Sequence, residues 1–501
     1  MQMRYRLRRF RLLQPLMLTV VLHQSVVAWA STPRLTGWHE ARVPGFVIVS
    51  NAGERQTRRL ATRVCGWRNV FARLWPQADP GTKPVVVLAL NSISTLCAIL
   101  PTDCASGHAK PAGLFLPGLD RDYLAIALDA EGWGSSDVLG HEFSHLLLDR
   151  YVEPLPLWLD EGIAELVATG DMGRGRVGAP NPTYLALLQQ HSLLPLTSFL
   201  SMARTSPGYR DESLAPLFYA QAWALVHYLE LADGGEQAWR LTTFVGLLSR
   251  GVPDGDAAAQ AFGDSGALTR ALDDYIRSGR LQDTSLALPL LVPRDDPPAR
   301  RLTAAETALS LGDFLGHTDR YSDAVELLDR AGRDGFAGAS LERLSLIELR
   351  RGDFAKAHWD ADEALAVDSS LVAAYYARGA AVLAQPSPQG QIDQAERDLR
   401  EAVRLDNKFA PAYSVLGTLL AFRPKGIDEA LGLIRRAVSL EPSVVGHRVA
   451  LAEALLLAGQ SEEAEHIAIR IVARARSMHE REVGQKLLQL TATAVASHQH
   501  Q

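Results

Sequence analysis

His141-Glu142-Phe143-Ser144-His145 is followed, sixteen positions after its last residue, by the first glutamate of Trp158-Leu159-Asp160-Glu161-Gly162-Ile163-Ala164-Glu165. On a helix His141 and His145 stand at i and i+4 on one face, close enough for both imidazoles to bind a single metal ion. Glu142 then projects beside that metal, where a carboxylate can take the proton of a metal-bound water, the arrangement of a zinc hydrolase. Val138, Leu139, Phe143, Leu146 and Leu147 make the carrying segment apolar. Two histidines and a glutamate on the buried side of such a helix are costly unless satisfied, and coordination satisfies them.

A tetrahedral catalytic zinc takes three protein ligands and leaves one position open for water. Glu161 and Glu165, again at i and i+4, follow the tight stretch Pro154-Leu155-Pro156-Leu157-Trp158. Here the chain resembles the gluzincin metallopeptidases, in which a second helix carrying an Asn/Asp-Glu-Gly-x-Ala pattern supplies the third ligand. The resemblance implies Glu161 as that ligand and Glu165 as an acid orienting a histidine through its other ring nitrogen. The bland alternative for Glu165 is a solvent-facing acid, and Asp160 reads as a cap or surface residue. The fifteen residues between His145 and Glu161 are fewer than in the larger aminopeptidase-type gluzincins. Together with the Pro-x-Trp-x-x-Glu-Gly-x-Ala-Glu segment, this is closer to the bacterial peptidase MA-like group. The stretch beginning Tyr219-Ala220-Gln221-Ala222-Trp223 resembles the tyrosine-led helix of aminopeptidase-type gluzincins. It implies an oxyanion hydrogen bond from Tyr219, against the alternative of a core aromatic; His227 and Tyr228 are weaker candidates on the same segment. No Gly-x-Met-Glu-Asn segment occurs, so exopeptidase activity is not implied.

At 501 residues the chain calls for two or three domains. Arg4, Arg6, Arg8, Arg9 and Arg11 precede an apolar run from Leu12 to Val27 and the small residues of Ala28-Trp29-Ala30, which reads as a signal peptide over 1–30. The alternative is an uncleaved anchor, although Gln14, Pro15, His23 and Gln24 weaken the run as a span. Cleavage removes five arginines and no acids, taking the formal net charge from −6 to −11. That acidity argues against a nucleic-acid partner. Of the three cysteines, Cys97 and Cys104 can close a short loop in an oxidising compartment, leaving Cys65 unpaired; reduced, buried thiols are the alternative.

Strands are expected at Gly45–Ser50, Pro84–Leu90, Gly113–Leu116 and Tyr123–Leu128, with a helix over Glu54–Leu74. Tyr123–Leu128, shortly before the metal helix, is the candidate edge strand for pairing with an extended peptide. Ser135 or Ser136 is placed to cap the histidine helix, and Pro182 to Arg280 reads as mainly helical. Four prolines within 283–300 mark a linker. Beyond it, small residues recur at Ala324, Ala357, Ala395, Ala430 and Ala464, in steps of 33, 38, 35 and 34, the long step holding the insert Gln385-Pro386-Ser387-Pro388-Gln389-Gly390. This resembles the tetratricopeptide repeat, with a period of about 34 residues and a surface for a peptide or protein segment. Met478 to Ala496 suits a capping helix.

The expected fold is therefore an α+β zincin-like metallopeptidase domain over 31–282, a small sheet plus helices, then a linker over 283–302 and an all-α tetratricopeptide solenoid over 303–496. The expected activity is zinc-dependent endopeptidase hydrolysis in the periplasm or outside the cell. Its partners would be a protein or peptide substrate and a protein held by the repeats, with no stable membrane span after signal cleavage. The alternative is a non-catalytic envelope scaffold whose zinc site is structural or vestigial.

Overall fold

A computed structural model describes residues 34–74, 83–100, 104, 113–129, 138–151, 155–169, 176–204, 206, 214–278, 286–287, 296–385 and 390–499. The expected signal peptide, the Ser135 and Ser136 cap and most of the proline-rich stretch lie outside them. Eight strands occur among the described residues: β1 (His39–Val43), β2 (Phe46–Ser50), β3 (Val85–Leu90), β4 (Gly113–Leu116), β5 (Asp122–Ala127), β6 (Arg176–Val177), β7 (Leu286–Ala287) and β8 (Ala299–Arg301). Six form one mixed sheet in the order β4-β5-β3-β2-β1-β8, in which β2, β3 and β5 run parallel and the other three antiparallel to their neighbours. β6 pairs with β7.

The three parallel strands read as nearly unbroken apolar runs because they sit inside the sheet with partners on both sides. β5 pairs with β3 on one side and β4 on the other. Tyr123–Leu128 is therefore not the free edge expected from its place in the chain; β4 and β8 hold the edges. The sequence reading missed β1, whose charged residues mask it. It forms by folding back on β2 across Pro44-Gly45, with Gly45 at φ 82, a value costly for other residues. Buried Glu40 then receives Arg300 of β8 at 3.0 Å, joining β1 to the last strand.

Contacts divide the chain into two compact units. The first gathers the described residues of Met1–Ala61, Pro80–Asp129 and Asp295–Gln460, and the second those of Thr62–Asp79, Ala130–Arg294 and Ser461–Gln501. Helix α1 (Glu54–Leu74) has residues in both, while α2 (Ile93–Ile99), capped by Ser92, belongs to the first. Cys97 of α2 is joined to Cys104 in a disulfide, and Cys65 of α1 is a free thiol.

The second unit carries α3 (Val138–Tyr151), α4 (Leu157–Ala168), α5 (Pro182–Gln190), α6 (Leu196–Leu200), α7 (Ala215–Leu231), α8 (Ala238–Ser249), α9 (Asp254–Phe262) and α10 (Ser265–Arg277). Its core centres on Trp158, which is fully buried among Phe199, Phe244 and Phe262 with ring centroids 5.6 to 6.3 Å away. His227 belongs to this core: its Nδ1 lies 3.1 Å from the Tyr275 hydroxyl and its Nε2 3.0 Å from the Gly178 carbonyl. Both ring nitrogens are used, which removes it as a chemical candidate.

The repeat helices of the first unit are α11 (Ala304–His317), α12 (Tyr321–Ala331), α13 (Ala337–Arg351), α14 (Phe354–Val367), α15 (Val372–Ala384), α16 (Ile392–Leu405), α17 (Ala410–Ala421), α18 (Ile427–Leu440) and α19 (Val445–Leu457). Thr303 and Glu306 start α11 with a reciprocal capping box. Ala324, Ala357, Ala395 and Ala430 stand at the fourth position of α12, α14, α16 and α18 and are fully buried. Facing Ala324, Ala395 and Ala430, on the first helix of each pair, are Gly312, Gly379 and Gly417. A Cβ at Gly312, Gly379 or Gly417 would come 3.2, 3.1 or 2.9 Å from the carbonyl of Ala324, Ala395 or Ala430. The repeat is thus a backbone-to-backbone approach of paired helices, and only the smallest residues admit it. In the second unit α20 (Ser461–Ala473) and α21 (Met478–Gln499) pack together, Gly484 lying against Val472.

One carboxyl in α19 works against this packing. Burial alone pushes Glu453 up to about 7, and its Oε1 has no hydrogen-bond partner. Its folded pKa exceeds the unfolded value, so folding is favoured while the group stays protonated and loses that contribution as pH rises through about 7. Glu453→Gln is expected to raise the melting temperature at pH 8 and to leave it nearly unchanged at pH 5, as measured by thermal circular dichroism. Equal shifts at both pH values would contradict this account.

Candidate metal centre

Helix α3 turns one side to the core and the other to the site. Gly140 lies so close to Trp67 that a Cβ there would meet the indole at 2.5 Å, and Phe143, Ser144 and Leu147 are buried beside it. The opposite side presents His141 and His145, whose side chains keep 20% and 17% of their exposure. The rings stand nearly perpendicular with centroids 4.7 Å apart, and their Nε2 atoms are 3.0 Å apart. Two nitrogens bound tetrahedrally to one zinc would be separated by about 3.3 Å.

Helix α4 brings the third candidate ligand. Glu161 Oε2 lies 3.3 Å from His145 Nε2 and 3.6 Å from His141 Nε2, and the candidate ligand atoms of all three residues fall within 4.8 Å of one another. That oxygen is buried and makes no hydrogen bond. An orphaned carboxylate oxygen aimed at two imidazole nitrogens is poorly accommodated by protein alone and well accommodated by a cation. The donor set of two imidazoles and a carboxylate fits zinc.

The surrounding groups set the direction of each ligand. His141 Nδ1 lies 3.2 Å from Glu165 Oε1, and His145 Nδ1 lies 3.0 Å from Asp160 Oδ1. An Nδ1–H donated to each acid leaves the Nε2 lone pairs facing inward, the tautomer a metal needs. Glu165 is thus the acid at the outer nitrogen of His141. Asp160 is corrected: it is no surface cap but the partner of His145, largely buried and held in turn by Arg204 at 2.8 Å. Arg204 also grips Glu161 Oε1 at 3.1 Å, leaving Oε2 as the free donor.

Electrostatics follow from this packing. Burial disfavours a charged His145, but Asp160 and Glu161 outweigh it and hold the imidazole well above its ordinary value. His141 is likewise raised, burial being overcome by the hydrogen bond to Glu165 and by Glu161. Burial would raise Glu161, yet His145, Arg204 and His141 bring it below the usual carboxylate range. Tyr184 of α5 is pushed up by burial and by its hydrogen bond to Glu165.

Two further residues follow from helix packing. Gly162 seats α4 directly on α7, since a Cβ there would lie 2.5 Å from the Ala222 carbonyl. Tyr219 stands one turn before Ala222, half-buried, with its ring edge-on to Phe218 at 6.0 Å. Glu142 is half-buried and makes no hydrogen bond among the described residues. Arg204 and Tyr184 were missed by sequence reading, because neither belongs to a motif and both reach the site from other segments.

No family model matches the chain, and no curated protein matches it. Among solved structures it is similar to TTC0263, described as a thermophilic TPR protein in Thermus thermophilus, at 24% identity over 38% of this chain and 99% of that one, with a TM-score of 0.32. It is also similar to yeast Tom70, at 15% identity over 72% of this chain and 92% of that one, with a TM-score of 0.23.

Asp160→Ala is expected to weaken zinc binding by about 10- to 100-fold without displacing the ligands. Competition with a chromophoric chelator measures it, and unchanged affinity would remove Asp160 from the orienting role.

Proposed function

We propose that the chain is a zinc-dependent endopeptidase of the bacterial envelope whose repeats hold a protein substrate or partner. The observation that carries this reading is the convergence of His141 Nε2, His145 Nε2 and the orphaned Glu161 Oε2. Bound there, zinc would lower the pKa of its water to about 7 and polarise a substrate carbonyl. Glu142, adjacent to His141 and free of hydrogen bonds among the described residues, accepts the water proton on its carboxylate and returns it to the leaving nitrogen. Tyr219 is assigned the oxyanion hydrogen bond; its place one turn before the α4 contact on α7 supports this. Glu165 and Asp160 hold the two imidazoles in place.

The Cys97–Cys104 disulfide and the arginine-led apolar N-terminus support export to an oxidising compartment. Among the described residues no helix is long and apolar enough to cross a membrane. A second reading, a scaffold with a structural or vestigial zinc site, is favoured by the helix pairs that make up most of the first unit.

Purified protein is expected to hold about one zinc per chain, lost on replacing His141, His145 or Glu161. Glu142→Gln is expected to keep that metal and to cleave an unstructured protein about 100- to 10,000-fold more slowly. Metal that ignores the three ligands would end the proposal. Retained zinc with no cleavage by either protein, and partner capture through 303–475 indifferent to Glu142→Gln, would leave the scaffold.

A further inference from the structure

The turn between β4 and β5, residues 117–121, lies within the first unit against the first helices of successive repeat pairs. It pivots at Gly118, whose amide donates to Asp122 Oδ1 at 3.1 Å and whose carbonyl accepts from Lys83 Nζ at 2.9 Å. A Cβ at Gly118 would come 2.8 Å from His317 Nε2 of α11. Leu119 packs against the apolar cluster that includes Leu346 of α13 and Tyr376 of α15. Asp120 Oδ2 receives Arg343 of α13 at 2.6 Å, and the Arg343 side chain is only 3% exposed. Arg121 reaches Asp313 of α11 at 3.3 Å.

Two of these contacts with the repeat helices are those of a bound peptide: an apolar side chain on an apolar surface and the next carboxylate on a buried guanidinium. The Asp120 side chain is only 11% exposed, while the rest of the turn is more open. Pro117 is exposed, and the four residues after it are only partly buried. Arg343 lies beside Glu342 and within 3.8 Å of Asp313, so the repeat face has its own charge pattern into which one carboxylate fits.

We propose that the face made by α11, α13 and α15 is a binding site for a short segment in which leucine precedes aspartate, and that the chain fills it with its own Leu119-Asp120 turn. While the turn is seated, this stretch of the repeats is closed to other proteins. A partner presenting a Leu-Asp segment must displace it, and its apparent affinity falls by the fraction of molecules in which the face is open.

The test uses the full chain, a fluorescein-labelled peptide of residues 114–124, and the same peptide carrying Asp120→Ala. L119A/D120A is expected to bind the first peptide saturably by fluorescence anisotropy, about tenfold or more tighter than the wild type. Neither protein should bind the altered peptide comparably. Asp120→Asn, the milder variant, is expected to show a smaller gain and is read the same way if the double variant does not fold. Equal binding by wild type and variant, or no binding by a folded variant, would overturn the proposal. So would loss of the cooperative melt in both variants, because the turn would then be part of the core rather than an occupant.

Discussion

Both units depend on helices that approach until their backbones touch. In the second unit that contact is Gly162 of α4 against the Ala222 carbonyl of α7, one residue from the candidate ligand Glu161. In the first it recurs along the repeats, where Gly312, Gly379 and Gly417 meet the carbonyls of Ala324, Ala395 and Ala430. Interiors are packed too tightly for a methyl group to enter such a contact without moving a helix. In the repeats the effect of that rule is uniform spacing. At the site it holds the helix bearing Asp160, Glu161 and Glu165 on α7, and so keeps the three acids on the side that faces His141 and His145.

The candidate metal centre shows how charge is kept in a mostly buried place. Each imidazole has an acid on its outer nitrogen, and each inner nitrogen points toward Glu161. Arg204 ties Asp160 and Glu161 together from another segment, so the acid beside His145 Nδ1 and the candidate ligand share one guanidinium. Burial disfavours the charged imidazoles, but the Asp160 and Glu161 carboxylates beside His145 and the Glu165 hydrogen bond and Glu161 charge at His141 outweigh it and hold both histidines above their ordinary range. Metal and proton therefore compete for the same place, as at any site whose ligands must be deprotonated to bind.

The sheet and the repeats of the first unit are joined by charge as well as by packing. Lys83, at the start of β3, is bound by Asp122 at 3.0 Å and by Glu441, just past α18, at 3.1 Å. The Tyr123 hydroxyl donates to Asp313 of α11 at 2.5 Å, and its ring lies against Phe314. Breaking one partner of such a buried pair leaves the other charge without compensation, a larger penalty than the pair's net worth.

What the sequence determined by itself is local order. The His141-to-His145 spacing, the Glu161-to-Glu165 spacing, β4, the span of α1 and the step between Ala324, Ala357, Ala395 and Ala430 all follow from period and residue type along a few turns of chain. The grouping of His141, His145 and Glu161 was legible for the same reason, because its parts sit on two helices adjacent in sequence. Tertiary structure alone decided the rest. It made Asp160 an orienting acid, because only the approach of α4 to α3 brings it to His145. It made β5 an inner strand, because β4 pairs on its far side. It called in Arg204 and Tyr184 from segments with no motif, turned His227 into a satisfied core residue, and set Leu119 and Asp120 on the repeats. Period and propensity act along one element, whereas these outcomes are contacts between different elements, separated by 7 to more than 200 positions.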